Sequence, residues 1–208
     1  MRTSLADPGL MRLRDEIVLV SLDEALYEEY GSFPFRRTDL GKIAETVAGF
    51  GASVVALDFL MDFRSSYGED EPTAAMLRKA DNVLLVSYAN FDGNRFEKLS
   101  YPNETLRAAA RTGYSNLQPT SRLVDNLARV RVFEEITNNK DGWPFAIQVL
   151  SMYWGVEPTL ERNTLKLGDR LEVELDQFGD IYIDFPGLEQ GTQYLSQGSG
   201  GFSALEIL

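Results

Sequence analysis

The chain has 208 residues, 44% of them hydrophobic and 25% charged, a composition that excludes a disordered tail or a low-complexity linker. Its 32 acidic and 20 basic residues give a net charge of −12, which repels phosphate backbones, so no nucleic-acid partner is expected. The sequence has no Cys and no His, which excludes thiol nucleophiles, histidine bases and the usual zinc ligands. We expect no cofactor.

The first ninety residues alternate between strand and helix signals. Thr38 is predicted to cap a helix whose apolar face extends to Phe50 and which Gly51 ends. Pro72 is predicted at the first position of the next helix. Two successive β-α-β units with short connections predict parallel strands. Continuous apolar runs place three buried strands at 17–20, 53–57 and 82–86.

The second half has a different pattern. Asn103 is predicted to cap a short helix that runs through Arg111 and stops at Gly113, and a second helix is predicted between Pro144 and Gly155. Alternation of apolar and polar residues predicts half-buried strands at 127–132, 171–175 and 181–185. The turn between the last two predicts a β-hairpin.

These patterns predict an α/β fold with a mixed sheet: parallel β-α-β units in the N-terminal half, antiparallel hairpins in the C-terminal half, and helices packed on the sheet. No linker separates the halves, so we expect one domain over 15–208 after a lead-in at 1–14. No apolar run approaches the ~18 residues of a membrane span, and no secretory signal follows the first residues. The sequence is typical of a soluble protein or of the soluble part of a membrane protein.

Ligands of open α/β sheets lie at the carboxyl ends of the parallel strands, and four charged residues are predicted there. Asp23 follows the first strand, Asp58 and Asp62 follow the second, and Arg37 lies in the connection between them. If the two strands are neighbours, these side chains share one crevice and are candidate ligand-binding residues. Two carboxylates could hold Mg²⁺ or Ca²⁺, or act as an acid/base pair; alternatively, they form structural salt bridges with Arg36 or Arg37. No catalytic or metal-binding residue is assigned.

The order of the motifs resembles the type-two CHASE domain, the cyclase/histidine-kinase-associated sensory extracellular domain. The family has a strand ending in Ile-Asp-Glu, and this chain has Leu22-Asp23-Glu24. The family's Trp-Pro-Trp-x-Arg segment corresponds to Phe33-Pro34-Phe35-Arg36-Arg37, with Phe in place of both Trp. Its Gly-Ala-x-Val-Ile-x-x-Asp segment is similar to residues 51–58, which end in Asp58.

The resemblance continues towards the C-terminus. Gly113-Tyr114-Ser115-Asn116 looks like the family's Gly-x-x-Asn step, and 125–129 is similar to its Asp-Gly-x-x-Arg strand with Asn126 replacing Gly. Residues 182–187 look like its Ile-Asn-Tyr-x-Gly stretch, which precedes a segment leading into the membrane. The resemblance therefore covers nearly the whole chain.

The resemblance implies a sensor rather than an enzyme. Family members lie on the extracytoplasmic face of the bacterial inner membrane, periplasmic or extracellular, and transmit signals to adenylate or guanylate cyclase, histidine kinase (two-component) or Ser/Thr kinase modules. The implied partners are an unidentified small-molecule ligand and the receptor's own transmembrane helices and cytoplasmic output domain. A second copy in a homodimer is a further candidate partner. Two alternatives stay open: a metal-dependent hydrolase that uses Asp23, Asp58 and Asp62, and a structural dimerisation module.

Overall fold

The computed structural model describes residues 16–30, 35–92, 95–116, 127–184 and 201–207. The strands are β1 Leu19–Ser21, β2 Val55–Leu57, β3 Val83–Asp92, β4 Arg95–Ser100, β5 Arg111–Tyr114, β6 Leu127–Arg131, β7 Thr159–Glu161, β8 Thr164–Leu167, β9 Leu171–Glu174, β10 Asp180–Asp184 and β11 Gly201–Ser203. The helices are α1 Glu24–Tyr30, α2 Arg37–Gly49, α3 Asp70–Ala80, α4 Glu104–Arg107 and α5 Phe145–Trp154, with 3₁₀ turns at Glu134–Ile136 and Ala204–Glu206.

A mixed sheet built on β3 organises the N-terminal half. The first part of β3 pairs in parallel with β2 and β5, while its second part pairs antiparallel with β4. The helix α3 connects β2 to β3, and α4 precedes β5, so the parallel neighbours are joined by helical crossovers. The predicted fold class, a mixed α/β fold with helices packed on the sheet, is confirmed.

The largest core cluster lies between this sheet and the helices α2, α3 and α4. Leu77, Leu85 and Leu106, from three different elements, are fully buried in it. The two long helices are parallel, because Arg37 pairs with Asp70 at their first residues and Glu45 pairs with Lys79 near their ends. Both helices therefore begin at the same edge of the molecule.

The C-terminal half contains antiparallel sheets. The strands β7, β8 and β9 form a three-stranded meander, and β10 pairs antiparallel with β6. Trp143 and Ile147 pack against Leu165 and Leu167 of β8 in a second core cluster. None of the described helices is both long and apolar enough to cross a membrane.

The predicted hairpin over 171–185 is wrong in its pairing. The two strands are present, but β9 pairs with β8 and β10 pairs with β6. The turn between them is held locally, because Asp176 Oδ1 accepts hydrogen bonds from the backbone N–H groups of Phe178 and Asp180 at 2.8 and 2.9 Å. A side-chain-stabilised turn of this kind reverses the chain without joining its two flanks in one ladder.

Several predicted helix boundaries are also wrong. α2 begins at Arg37 rather than after Thr38, and α3 begins at Asp70, two residues before Pro72. Gly113 does not end a helix; it lies in β5, where a Cβ would come within 2.8 Å of Phe145 Cα in α5. The predicted stop at Gly51 is confirmed by its φ of +95°.

The first predicted strand is present, but it is not buried on both faces. β1 lies outside the central sheet and pairs in parallel with β11, Leu19 opposite Gly201 and Ser21 opposite Ser203. Its leading residues Ile17 and Val18 are half exposed. The segment that begins the described chain is therefore paired with the segment that ends it.

Candidate functional site

The loop between β2 and α3 forms one wall of the candidate site. Met61 is buried in the main core, and its carbonyl oxygen accepts a hydrogen bond from Asn103 N–H at 2.8 Å. The Asn103 amide also donates to the Phe63 carbonyl oxygen at 3.3 Å, while its Oδ1 accepts from Leu106 N–H and caps α4, as the sequence predicted. Phe63 and Tyr67 of the same loop expose 66% and 77% of their surface. The loop is thus anchored from below and presents aromatic side chains to solvent.

Arg37 lies beneath this loop, at the first residue of α2. Only 7% of Arg37 is exposed, and its Nη1 donates to Asp70 Oδ1 at 2.5 Å. Its guanidinium carbon lies 4.6 Å from the centre of the Phe63 ring, a cation–π distance. Within the part of the chain that the structure describes, the buried Nη2 of Arg37 has no hydrogen-bond partner.

Asp70 is the anion that compensates Arg37. Its Oδ2 accepts a hydrogen bond from Ser65 N–H at 3.0 Å, so one carboxylate holds both the loop and the arginine. Burial favours its neutral form, but the hydrogen bonds from Ser65 N–H and from the Arg37 guanidinium outweigh burial and lower the pKa of Asp70. The carboxylate is therefore charged at neutral pH and forms a buried ion pair.

The N-terminus of α2 lacks a side-chain cap. The N-cap residue is Arg36, which has extended backbone angles and whose side chain extends towards Glu69, with Nε 3.9 Å from Oε1. Among the described residues, the N–H groups of Arg37 and Thr38 have no acceptor, and the first helical bonds start at Asp39 N–H. The two backbone donors at the positive end of the helix thus belong to Arg37 itself and to the residue after it.

Asp23 lies at a different place from Arg37. It caps α1, since its Oδ1 accepts from Leu26 N–H at 3.1 Å, and the same oxygen accepts from the Ser203 hydroxyl at 2.8 Å. It follows β1, whereas Asp58 follows β2, and these strands belong to separate sheets. Asp23 therefore connects the first helix to the last described strand.

Asp58 and Asp62 are exposed side chains of the loop after β2. Among the described residues, neither makes a hydrogen bond or ion pair, and no such contact joins Asp23, Arg37, Asp58 and Asp62 to one another. The alternative salt bridges expected from Arg36 or Arg37 to Asp23 or Asp58 are wrong. The arginines pair instead with Glu69 and Asp70. The ligand-binding role of the four residues stays a prediction.

The described residues contain no group of three or more acidic side chains placed to hold a metal ion. The three carboxylates of the hydrolase alternative, Asp23, Asp58 and Asp62, are not among any such group. The residue that the sequence reasoning missed is Asp70. The run Glu69-Asp70-Glu71 carries the signal, since acidic residues favour the first turn of a helix, whereas Pro72 by itself indicates a helix start two residues later.

Comparison with protein families places the chain in a family of sensory domains of signalling proteins. Domains of this family are not catalytic and are in general extracytoplasmic. The family model of the CHASE2 domain matches residues 2–206, so the chain belongs to the CHASE2 family. The resemblance predicted from the sequence motifs is confirmed. No curated protein and no solved structure matches the chain.

Proposed function

We propose that this chain is the extracytoplasmic sensory domain of a bacterial transmembrane receptor. In this proposal it binds a small molecule at the edge formed by Arg37 and the loop after β2, with Asp58 and Asp62 beside it. The signal passes through flanking membrane helices to a cytoplasmic adenylate or guanylate cyclase, histidine kinase or Ser/Thr kinase. The observation that carries the binding role is the buried guanidinium of Arg37, one nitrogen of which has no partner among the described residues and lies beneath an exposed loop.

The helix α2 supports a route from this edge to the chain ends. Arg37 begins the helix, and Ile43, less than two turns further along, packs against Leu26 of α1 and Ala204 of the last turn. Val47 contacts both this small cluster and the main core. A shift of α2 at its first turn therefore reaches both ends of the described chain.

The chain ends respond together because they are joined. β1 and β11 pair in parallel, and the Asp23 carboxylate accepts a hydrogen bond from Ser203, 180 residues away. A ligand can shift such an arrangement only by binding one of its two states more tightly. In this proposal, Asp23 belongs to the transmission part of the site rather than to the ligand contacts.

Binding is tested by thermal-shift screening of the chain against a metabolite library. We expect at least one compound that raises the melting temperature of the wild type and of Arg78→Gln but not of folded Arg37→Gln. Arg78 is a matched control because it is an exposed arginine in the last turn of the parallel helix α3. A library without any stabilising compound, or one whose hits all persist in Arg37→Gln, contradicts binding at this edge.

The extracytoplasmic location is tested by labelling in intact cells. Because the chain has no Cys, Tyr67→Cys introduces one thiol at a side chain that is 77% exposed. In the receptor made in bacteria, a membrane-impermeant maleimide should label this variant without cell lysis. Labelling that appears only after lysis contradicts the proposed location, and the receptor without Tyr67→Cys reports background.

We also propose that the domain forms homodimers through β1 and β11. The favouring observation is that apolar side chains of this strand pair are exposed, Leu19 at 38% and Phe202 at 49%. Sedimentation equilibrium should give a dimer that Phe202→Lys weakens. A monomer at all concentrations contradicts this proposal and leaves ligand binding untouched.

A further inference from the structure

We propose that the uncapped N-terminus of α2 is an oxyanion-binding site, and that the ligand of the sensory domain carries a carboxylate, phosphate or sulfate group. The group would accept hydrogen bonds from the N–H groups of Arg37 and Thr38 and from Nη2 of Arg37. The inference rests on the proposed function, because it names the chemical class of ligand at that same edge.

The backbone donors are the first part of the site. α2 has thirteen residues, no side-chain cap, and two N–H groups at its start without an acceptor among the described residues. Its one acidic residue in the first turn, Asp39, is directed to Lys42, whose Nζ lies 2.9 Å from Asp39 Oδ1. Asp39 therefore does not cap these N–H groups, and uncapped N–H groups at a helix start bind anions.

The Arg37 side chain is a second and independent observation. It is 93% buried by area, being 7% exposed, and only Nη1 is used by Asp70. A guanidinium presents its donors in a planar fork that matches an oxyanion, and a buried charged donor without an acceptor is unfavourable. A ligand oxyanion would accept a hydrogen bond from Nη2, while Asp70 accepts one from Nη1 of the same guanidinium.

Phe63 controls access to this nitrogen. Its ring lies over the guanidinium at 4.6 Å, while two thirds of the residue face solvent. Nη2 is inaccessible to solvent in the described conformation, and Phe63 is an exposed side chain that packs on this guanidinium, so in the proposal its ring moves aside when an anion enters. Since most of the ring is already in solvent, this movement exposes little additional apolar surface.

The test is a titration of the isotope-labelled chain with sodium phosphate at constant ionic strength, followed by the amide resonances of Arg37 and Thr38. We expect saturable shifts of both resonances, binding about tenfold or more weaker in Arg37→Gln, and unchanged binding in Arg78→Gln. Phe63→Ala keeps the Arg37–Asp70 pair and uncovers Nη2, so it should bind phosphate at least as tightly as the wild type. Phe63→Ala also keeps the proposal testable if Arg37→Gln does not fold.

Two results would overturn the inference: no saturable shift of these amides in either the wild type or Phe63→Ala, or equal affinity in folded Arg37→Gln. Ethylammonium chloride is the counter-probe, and shifts caused by it but not by phosphate would assign a cation site instead. If phosphate binds as expected but the receptor's output responds to no small-molecule ligand, the sensory role fails and the anion site stands. If the receptor responds only to ligands without an oxyanion, the inference fails and the sensory role stands.

Discussion

Replacing Asp70 with Asn tests whether the Arg37 edge is held by a buried ion pair. Asn has nearly the same shape, but it removes the negative charge and leaves a single acceptor oxygen. In the wild type the two carboxylate oxygens accept from Arg37 Nη1 at 2.5 Å and from Ser65 N–H at 3.0 Å. In the variant one of these donors faces an amide NH₂ group, and the arginine keeps a buried charge without a counterion.

The expected loss follows from how deeply the pair is buried. The side chains of Arg37 and Asp70 expose only 9% and 14% of their surface, so solvent screens the pair weakly. Removing one partner of a buried pair costs about 3 kcal/mol at the low end of the usual range. For a domain of this size the melting temperature should fall by about 6–12 °C.

The assay is chemical denaturation, with a surface pair as control. Arg111 and Glu157 form a pair with two hydrogen bonds, one more than Arg37 and Asp70, but the Glu157 side chain is 59% exposed. Glu157→Gln should therefore lose less than about 1 kcal/mol. In a double-mutant cycle, Arg37→Met with Asp70→Asn should lose at least ~1 kcal/mol less than the sum of the single variants. Equal losses in Asp70→Asn and Glu157→Gln would refute the reasoning.

The pH dependence of the same variant provides a check on sign. Because the folded pKa of Asp70 lies below its usual value of 3.8, the ionised carboxylate stabilises the fold above that pH. Its contribution is lost as the pH falls below 3.8 and passes through the folded pKa. The difference in unfolding free energy between wild type and Asp70→Asn should be constant above about pH 5 and shrink below it. A difference that grows on acidification contradicts the assignment.

Three further substitutions, one of them with a matched control, have defined outcomes. Gly113→Ala should lower the free energy of unfolding, measured by chemical denaturation, by about 1–3 kcal/mol, because the new Cβ would lie 2.8 Å from Phe145 Cα. Gly49→Ala is the control: its Cβ would enter open space, so the free energy of unfolding should stay the same or rise by about 0.5–1 kcal/mol. Similar changes in the two variants would contradict the close packing at Gly113. Asp23→Ala should lose about 1 kcal/mol and speed amide exchange in α1, and unchanged exchange would exclude the cap. Asp180→Asn should lower the free energy of unfolding by about 3–5 kcal/mol, because this fully buried carboxylate accepts hydrogen bonds from two arginines. A loss below ~1 kcal/mol in thermal unfolding would contradict a structural role for these ion pairs.

The fold class could be predicted because it follows from the spacing of apolar residues and from the short connections between elements. The helices α2 and α3, the strands β2 and β3, and the glycine stop at Gly51 all follow from local apolar spacing and turn chemistry. Strand partners could not be predicted in the same way. The residues on both sides of the Asp176 turn alternate like a hairpin, but their partners, β8 and β6, come from elsewhere in the chain. Pairing depends on distant segments, which local patterns do not contain.

In the candidate site, too, the position of a residue could be predicted from the sequence but its partner could not. Arg37 was predicted to share a crevice with Asp23 and Asp58, and it lies against Phe63 of the loop that follows β2. The salt bridge expected as an alternative, with Asp23 or Asp58, is not the one that forms, because Arg37 pairs with Asp70 at the start of α3. Starting that helix at Asp70 rather than at Pro72 places the Asp70 carboxylate next to the first residue of the parallel helix α2. A shift of two residues in one boundary thus decides which carboxylate is buried.

Amide hydrogen exchange with and without saturating phosphate tests most directly whether occupancy at Arg37 is transmitted through α2 to the paired chain ends. We expect that phosphate slows amide exchange at Thr38 and also changes the exchange rates in α1 and in 201–207. In Arg37→Gln, phosphate should change none of these rates. Slower exchange at Thr38 with unchanged rates in α1 and 201–207 would contradict the proposed transmission, because binding would then leave the Asp23–Ser203 connection and the Leu26 cluster unaffected.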